Sequence, residues 1–176
     1  MKIGDGIYTE SNVFSAEDCQ RYIERCENAG FEAASLSLFG GAVPRPNVRN
    51  NDRAIIDDPA LAAVIWARVK SLVPSEVNNR AAIGLNERFR FYRYDVGQKF
   101  APHFDGAYRS PTGALSLLTF MLYLNDGYEG GETIVSGIPI APERGKILVF
   151  KHQLLHESVE VRSGRKYVLR SDVMFM

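Results

Sequence analysis

The sequence has few histidines and cysteines, no excess of either charge and no long apolar run. Of its 176 residues, three are histidine and two are cysteine. Lys plus Arg equals Asp plus Glu at 21 each, so the charge gives no reason to expect a nucleic acid or an anionic membrane as a partner. No apolar run approaches the roughly 20 residues that span a bilayer, and the start lacks a secretory signal. We therefore expect one cytoplasmic domain over residues 1–176.

Two helices are predicted in the first half of the chain. Ser15, with Asp18 three positions later, resembles a capping box, and Gly30 can end this helix. Asp58 is a suitable N-cap for the second helix, which should stop before Pro74. Apolar residues at helical spacing indicate that each helix buries one face.

The two cysteines, Cys19 and Cys26, are predicted to be buried thiols. They lie seven positions apart on the apolar face of the first predicted helix. Small hydrophobic side chains explain this placement better than a disulfide or a metal site.

After residue 84 the apolar pattern takes the two-residue period of β-strands. The predicted strands are 88–94, 115–124, 132–135, 147–150 and 166–175. Two helices followed by short strands predict a mainly β protein of the α+β class, in which helices pack on one outer face of an antiparallel sandwich or barrel. We assign helical support to about residues 1–80 and the β core to about 84–176.

Residues 35–53, between the helices, are rich in Gly, Pro, Asn and Arg and are predicted to form a long loop or hairpin. Such a segment serves as a lid or binding loop, or else as a solvated connector, and the sequence leaves both alternatives open. The candidates for contacting a substrate are Arg49, Asn51 and Arg53 from this segment and Arg90 from a later strand. Their paired donors suit a carboxylate or a peptide backbone.

The most informative motif is His103-Phe104-Asp105, followed much later by His156. Side chains at positions i and i+2 of a strand point to the same face, so the imidazole of His103 should lie beside the carboxylate of Asp105. Two histidines and one carboxylate on one side of a metal, with the other side open, are typical of non-haem Fe(II) oxygenases. An isolated His-x-Asp is common on protein surfaces, so the prediction of a metal site here depends on the second histidine, His156.

His152 lies four positions before His156, which is the spacing of the histidines in zinc peptidases. The segment His-Gln-Leu-Leu-His lacks the general-base glutamate of those enzymes and follows a predicted strand. We therefore predict a supporting role for His152 and no role as a metal ligand.

A series of further motifs surrounds these residues in a fixed order. They are 93–105 (RYDVGQKFAPHFD), 122–125 (LYLN), 130–133 (GGET), His156 and 164–167 (GRKY). Together they resemble the iron(II)- and 2-oxoglutarate-dependent dioxygenases, specifically the prolyl 4-hydroxylase-like branch. The resemblance implies a double-stranded β-helix, or jelly roll, with His103, Asp105 and His156 as Fe(II) ligands between its two sheets. It also implies 2-oxoglutarate and O2 as co-substrates, with ascorbate as an optional reductant.

The same resemblance implies a pocket for 2-oxoglutarate, whose far carboxylate needs a cation once it is buried. Lys166 is the first candidate, because it lies ten positions after the second ligand histidine, as the family's lysine does. Arg170, on the same face of that strand, could share this role or bind a carboxylate of the substrate. Tyr94, Tyr123 and Thr133 match pocket positions of the family, although both tyrosines could instead be core aromatics.

The activity that the resemblance implies is hydroxylation of an unactivated C–H bond, coupled to the oxidative decarboxylation of 2-oxoglutarate. A prolyl residue in a peptide is the first expectation for the substrate, and a free amino acid or other small metabolite is the alternative. A non-catalytic domain that binds a partner or senses 2-oxoglutarate is an alternative of another class. The complete set of three ligands and a lysine argues against it.

Overall fold

The computed structural model describes residues 1–38, 41–43 and 45–176. Its helices are α1 (Ala16–Ala29) and α2 (Pro59–Val69). Its strands, in chain order, are β1 (Lys2–Gly4), β2 (Ile7–Glu10), β3 (Glu32–Ala33), β4 (Leu36–Leu38), β5 (Gly41–Val43), β6 (Asp52–Asp57), β7 (Glu76–Val77), β8 (Arg80–Leu85), β9 (Arg88–Tyr94), β10 (Phe100–His103), β11 (Leu115–Tyr123), β12 (Glu129–Gly130), β13 (Thr133–Val135), β14 (Ile138–Ile140), β15 (Ile147–Lys151), β16 (His156–Ser158), β17 (Val161–Ser163) and β18 (Lys166–Phe175).

Both helices begin where the sequence predicts. The Ser15 hydroxyl accepts a hydrogen bond from the backbone N–H of Asp18 at 3.0 Å, and the Asp18 carboxylate accepts one from the N–H of Ser15 at 3.3 Å, which completes the capping box. Asp58 caps α2, which ends at Val69, a few residues before the predicted stop at Pro74. Within the described residues, neither helix has the length and hydropathy that crossing a membrane would require.

Two antiparallel sheets form the body of the molecule. The larger has ten strands in the order β1-β2-β15-β11-β18-β9-β6-β3, with β8 also paired to β18 and β7 to β8. The smaller has the order β10-β16-β13-β14. A buried cluster joins Met121 and Phe150 of the larger sheet to Val135 and Ile140 of the smaller one, so the sheets pack face to face. The predicted jelly roll is confirmed.

The helices cover the outer face of the larger sheet, as predicted. One buried cluster contains Cys19 and Cys26 of α1, Ile65 of α2, and Phe91 and Leu169 of the sheet. Both cysteines are free thiols, and burial raises their pKa, to about 11 for Cys19 and about 12 for Cys26. The prediction of buried thiols is therefore confirmed.

The N-terminal part of the chain contributes more strands than the sequence predicts. β2 pairs with β15, and β6 pairs with β9, so residues 1–80 help to build the larger sheet and do more than support it. These strands are short and lie toward the sheet's edges, where pairing with a neighbour matters more than an apolar period. β4 and β5 form the hairpin expected within residues 35–53, although 39, 40 and 44 in that segment lie outside the described residues.

Alternation along β18 determines which side chains reach the space between the sheets. Tyr167 and Leu169 belong to the cluster under the helices, whereas Val168 belongs to the cluster between the sheets. Lys166 and Arg170 share the face of Val168, because side chains two residues apart point the same way. Both basic residues therefore lie on the inner face of the larger sheet.

Candidate active site

The three predicted metal-binding side chains converge between the two sheets. His103 at the end of β10 is the direct cross-strand partner of His156 at the start of β16. Asp105 follows β10, and its Oδ2 lies 3.5 Å from Nε2 of His156. One potential ligand atom from each residue lies within 4.8 Å of the other two, which is close enough for one ion to bind all three.

Both imidazoles are oriented by backbone carbonyls. Nδ1 of His103 lies 2.9 Å from the carbonyl oxygen of Ala101, and Nδ1 of His156 lies 3.0 Å from that of Leu154. A carbonyl only accepts, so each Nδ1 carries the proton and each Nε2 offers a lone pair. Burial lowers the pKa of both rings, and that of His103 falls to about 4. The rings are neutral at pH 7, as metal ligation requires.

Asp105 is held as a carboxylate despite its burial. Burial alone would raise its pKa, but the positive charge of Arg170, with contributions from His156 and the Thr119 hydroxyl, outweighs burial and lowers it. Nη2 of Arg170 lies 3.1 Å from Oδ2 of Asp105, and the Thr119 hydroxyl donates to the same oxygen at 2.5 Å. The site therefore combines two neutral imidazoles with one anionic oxygen ligand.

His152 supports this carboxylate through hydroxyl groups. Because Thr119 donates its proton to Asp105, it accepts from Nδ1 of His152 at 2.9 Å, and Nε2 of His152 accepts from the Ser116 hydroxyl at 3.0 Å. The Ser116 oxygen accepts in turn from the backbone N–H of Tyr108 at 2.7 Å. His152 is 4% exposed and is not part of the three-residue cluster. Its predicted supporting role agrees with these contacts.

A second group of residues, which we call the lysine pocket, consists of Lys166, Tyr94, Tyr123, Thr133 and Ser158. Lys166 has no exposed surface, and its Nζ donates to the carbonyl of Gly131 at 2.6 Å and to the Ser158 hydroxyl at 2.8 Å. Nζ lies 4.9 Å from the ring centre of Tyr94, and the Tyr123 hydroxyl donates to that of Thr133 at 2.7 Å. Burial lowers the pKa of Lys166 to about 7.

Gly131 allows the lysine to reach this position. Its φ is +67°, a region that side chains with a Cβ rarely adopt. A Cβ at this position would lie 3.2 Å from Cδ of Lys166 and 3.2 Å from Cε2 of Tyr128. The glycine of the Gly-Gly-Glu-Thr motif therefore leaves room for Lys166 while its carbonyl accepts from the ammonium group.

One cavity connects the metal-binding residues to the lysine pocket. Its wall includes the following side chains of both groups: His103, Asp105, His156, Tyr94, Thr133 and Ser158. Among the described residues, no carboxylate forms an ion pair with Lys166. Lys166 lies behind this wall, where its Nζ contacts Ser158 and the ring of Tyr94. A buried cation without an ion-pair partner on one side, and three metal ligands on the other, fit a small dianion that also binds a metal ion.

Arg170 has different partners from Lys166. Its Nη2 contacts Asp105 at 3.1 Å and Oδ1 of Asp172 at 2.9 Å, so the guanidinium is paired with two carboxylates of the protein. These contacts favour Lys166, and not Arg170, as the cation for the far carboxylate of 2-oxoglutarate.

The structure separates the other substrate-contact candidates. Arg49 is buried, with its guanidinium 4.6 Å from the ring centre of Tyr92 and 4.4 Å from that of Phe100, and Asn51 accepts from its Nε at 2.9 Å. Asn51 is fully buried and positions Arg49.

Arg53 lies in β6, not in a loop. Its guanidinium contacts Glu32 at 3.3 Å and the hydroxyl of Ser35 at 3.0 Å. Strand pairing with β9 fixes the backbone at Arg53, which is not among the residues of the cavity wall. Its contact with a substrate stays a prediction.

Three polar residues of the site were not identified from the sequence. Ser158 lies two residues after His156 on β16, and Asp172 lies two residues after Arg170 on β18, so the two-residue period of a strand was the available signal for both. Thr119 offers no such signal, because its contact with Asp105 depends on how β11 lies beside the segment after β10.

Comparison with known proteins agrees with this geometry. The family model described as the 2OG-Fe(II) oxygenase superfamily matches residues 89–171. That range contains the three metal-binding residues and the lysine pocket. Over that range the chain is similar to the 2OG-Fe(II) oxygenase superfamily. Members of this superfamily use Fe(II), 2-oxoglutarate and O2, and the His-Asp-His cluster and the lysine pocket suit them.

The chain is also similar to individual prolyl hydroxylases. It is 26% identical over 188 residues to probable prolyl 4-hydroxylase 9 of Arabidopsis thaliana, which covers 89% of this chain and 64% of the relative. A viral collagen prolyl hydroxylase from Paramecium bursaria Chlorella virus 1 superposes with a TM-score of 0.67 at 20% identity, covering 99% of this chain and 100% of the other.

A prolyl hydroxylase from Trichoplax adhaerens, solved with a peptide fragment of the hypoxia inducible factor oxygen degradation domain, superposes with a TM-score of 0.74. The two chains are 16% identical, and the match covers 96% of this chain and 83% of the other. Both structural likenesses concern the fold. The chain spans less than two thirds of the length of the Arabidopsis relatives that it matches.

Proposed function

We propose that the protein is an Fe(II)- and 2-oxoglutarate-dependent hydroxylase that acts on a prolyl residue of a peptide. The observation that carries the proposal is that a single cavity joins the His103, Asp105 and His156 cluster to the lysine pocket. In this reaction 2-oxoglutarate, O2 and a C–H bond give succinate, carbon dioxide and a C–OH group. One oxygen atom goes into succinate and the other into the substrate.

The first task of the chain is to hold the metal ion. Nε2 of His103, Nε2 of His156 and the carboxylate of Asp105 would be the ligands, each in the protonation state that a metal requires. Bound ferrous iron and 2-oxoglutarate supply the oxidising chemistry, which the side chains of the protein lack. The protein's contribution is to fix the ligand positions and to leave one side of the ion open.

The second task is to orient 2-oxoglutarate. Lys166 would bind its far carboxylate, and the hydroxyls of Tyr94, Thr133 and Ser158 in the cavity wall are placed to donate to it. Binding an anion here gives the buried ammonium group a direct ion pair, which no described residue provides. Lys166 is completely buried, so bulk solvent does not contact its ammonium group.

The names of the relatives support a peptidyl prolyl substrate, and one structural neighbour was solved with a peptide. A free amino acid or other small metabolite, processed by the same chemistry, is the alternative. A non-catalytic domain that senses 2-oxoglutarate is the alternative of another class.

The test separates these cases in two stages. Anaerobic addition of Fe(II) and 2-oxoglutarate should produce a visible metal-to-ligand charge-transfer band, and Lys166→Met should weaken the dependence of that band on 2-oxoglutarate. Admission of O2 should then yield succinate, which a sensor domain would not form. Proline-containing peptides and free amino acids are next screened by mass spectrometry for the gain of one oxygen atom. No charge-transfer band and no succinate would refute the enzyme assignment.

A further inference from the structure

Arg90 lies directly opposite Arg170 on neighbouring antiparallel strands, β9 and β18. Like charges in such cross-strand positions repel each other. Asp172, which is 3% exposed, is the carboxylate that both guanidinium groups approach. The surrounding structure must therefore offset two buried or half-buried positive charges with few negative ones.

Asp172 lies closer to the guanidinium of Arg170 than to that of Arg90. Its Oδ1 lies 2.9 Å from Arg170, whereas its Oδ2 lies 3.8 Å from Nη1 of Arg90, which is beyond hydrogen-bond distance. The Asn86 amide donates to Oδ2 at 3.4 Å. Among the described residues, no group forms a hydrogen bond with the buried Nη1 of Arg90. Burial and the nearby Arg170 charge both lower the pKa of Arg90, which reflects its poor compensation.

Arg88, two residues earlier on the same strand face, has the partner that Arg90 lacks. Its Nε and Nη2 donate to the two carboxylate oxygens of Asp57 at 2.8 Å each. A paired arrangement of this kind is how arginine recognises a carboxylate. Arg90 has the same side chain on the same strand, with no such partner from the described residues.

Arg90 also lies beside the cavity. Tyr92 follows it by two residues on the same face of β9 and, like Arg170, lines the cavity with Asp105. The side chain of Arg90 is 27% exposed, in contrast to the complete burial of Lys166, so a molecule from solvent can reach it. The two basic positions therefore mark opposite ends of the inner face: Lys166 the closed end, and Arg90 the end that solvent reaches.

We propose that Arg90, supported by Arg170 and Tyr92, binds a carboxylate of the primary substrate next to the metal-binding residues. This inference rests on the proposed function and deepens it, because it assigns the substrate an anionic group close to the C–H bond that reacts. The carboxylate can belong to an acidic side chain of a peptide, to a peptide C-terminus or to a free amino acid. The three share the chemistry that a guanidinium recognises.

The first test needs no substrate and no altered fold. The full chain, loaded with redox-silent Zn(II) and 2-oxoglutarate so that those sites are filled, is titrated with acetate and, separately, with acetamide. The side-chain Nε–Hε NMR signal of Arg90, assigned by its absence in Arg90→Gln, should shift saturably with acetate and not with acetamide. The signal of Arg88 should stay in place. If the Arg90 signal does not shift with acetate, or shifts equally with acetamide, the inference is overturned.

The second test identifies the source of the carboxylate. Binding of N-acetyl-L-proline is compared with that of N-acetyl-L-prolinamide, and proline-containing peptides with a neighbouring Asp are compared with their Asn counterparts. Arg90→Gln should weaken binding of the preferred acid by about 10- to 100-fold, the loss expected for a charged hydrogen-bond pair, and leave binding of the amide unchanged. Arg88→Gln is the matched control, with no selective loss. Equal binding of acid and amide by the wild-type protein refutes the inference.

These results are distinguishable from a failure of the proposed function. If the wild-type protein shows the 2-oxoglutarate-dependent charge-transfer band but does not prefer the acid, the hydroxylase assignment stands and the carboxylate site is refuted. If the band is absent, the hydroxylase assignment is refuted, whatever Arg90 binds.

Discussion

The guanidinium of Arg170 lies 3.1 Å from Oδ2 of Asp105, so a cation of the protein contacts the carboxylate that we assign to the metal. The same guanidinium contacts Asp172 at 2.9 Å. Arg170 thus neutralises part of the negative charge under the cluster before any metal binds, and it keeps Asp105 ionised.

This relationship predicts that Arg170→Gln destabilises the metal-free protein more than the metal-loaded protein. Removal of one partner of a buried ion pair typically costs about 3–5 kcal/mol, because the other charge is left unpaired. A divalent ion on Asp105 supplies positive charge in its place, so the loss should be smaller with Zn(II) bound. Urea denaturation of both forms measures the difference. Equal losses in the two forms would show that Arg170 and the metal do not share Asp105.

Replacement of His156 and replacement of His152 should have different effects on metal binding. His156→Ala removes a ligand and should abolish stoichiometric binding of Co(II), followed by its visible absorption. His152→Ala breaks hydrogen bonds to Thr119 and Ser116 and should cost about 1–3 kcal/mol of stability while Co(II) still binds. Loss of Co(II) binding in a folded His152→Ala protein would contradict the assignment of the ligands.

Gly131→Ala should reduce the affinity for 2-oxoglutarate, because its new Cβ would crowd Lys166 and Tyr128. Gly127→Ala is a matched control, since Gly127 also has a positive φ, +79°, but a Cβ there would meet nothing within 4 Å. Both variants should lose about 1–2 kcal/mol of stability from the left-handed backbone. Only Gly131→Ala should also show weaker 2-oxoglutarate binding by calorimetry. Equal affinities in the two variants would mean that the position of Lys166 does not matter for binding.

Binding of 2-oxoglutarate should take up a proton at mildly alkaline pH. Burial lowers the pKa of Lys166 from its ordinary 10.5 to about 7, so the unliganded protein holds this lysine increasingly uncharged above pH 7. A bound carboxylate favours the ammonium form and raises that pKa, so affinity should fall as pH rises from about 7 toward 10.

Calorimetry at pH 8 in buffers of different ionisation enthalpy measures this proton uptake. Lys166→Met should remove it. Without ligand, the unfolded chain retains the Lys166 proton up to about pH 10 while the folded chain releases it above about 7, so this residue makes the unliganded protein more stable as pH rises through that window. Proton uptake that persists in Lys166→Met would assign it to another group.

The sequence was sufficient where a strand is long and buried. The predicted strands 88–94 and 166–175 match β9 and β18, because aromatic and apolar residues recur in a long enough segment to leave a clear signal. β1, β2 and β3 have three, four and two residues, too few for a period, and exist through pairing with neighbours. Strand pairing also explains why Arg53, in a segment predicted to be a loop or hairpin, lies in β6.

The part of the candidate site that consists of local sequence motifs was predictable. The three residues of the cluster, together with Lys166, were found from spacing and family resemblance. The contacts of Arg170 with Asp105 and of Thr119 with the same oxygen join residues 65 and 14 positions apart in the chain, which only the folded structure brings together.

The ring of Phe100 lies between the guanidinium of Arg49 and the imidazole of His103, with centre distances of 4.4 Å and 3.5 Å. This three-layer stack, together with the backbone carbonyl at Nδ1, restricts rotation of His103 whether or not an ion is present. The conformational entropy of the His103 side chain is therefore lost during folding and not during metal binding. Metal loading should accordingly be fast and limited by loss of water from the ion, and Phe100→Ala should slow it even in protein that keeps its fold.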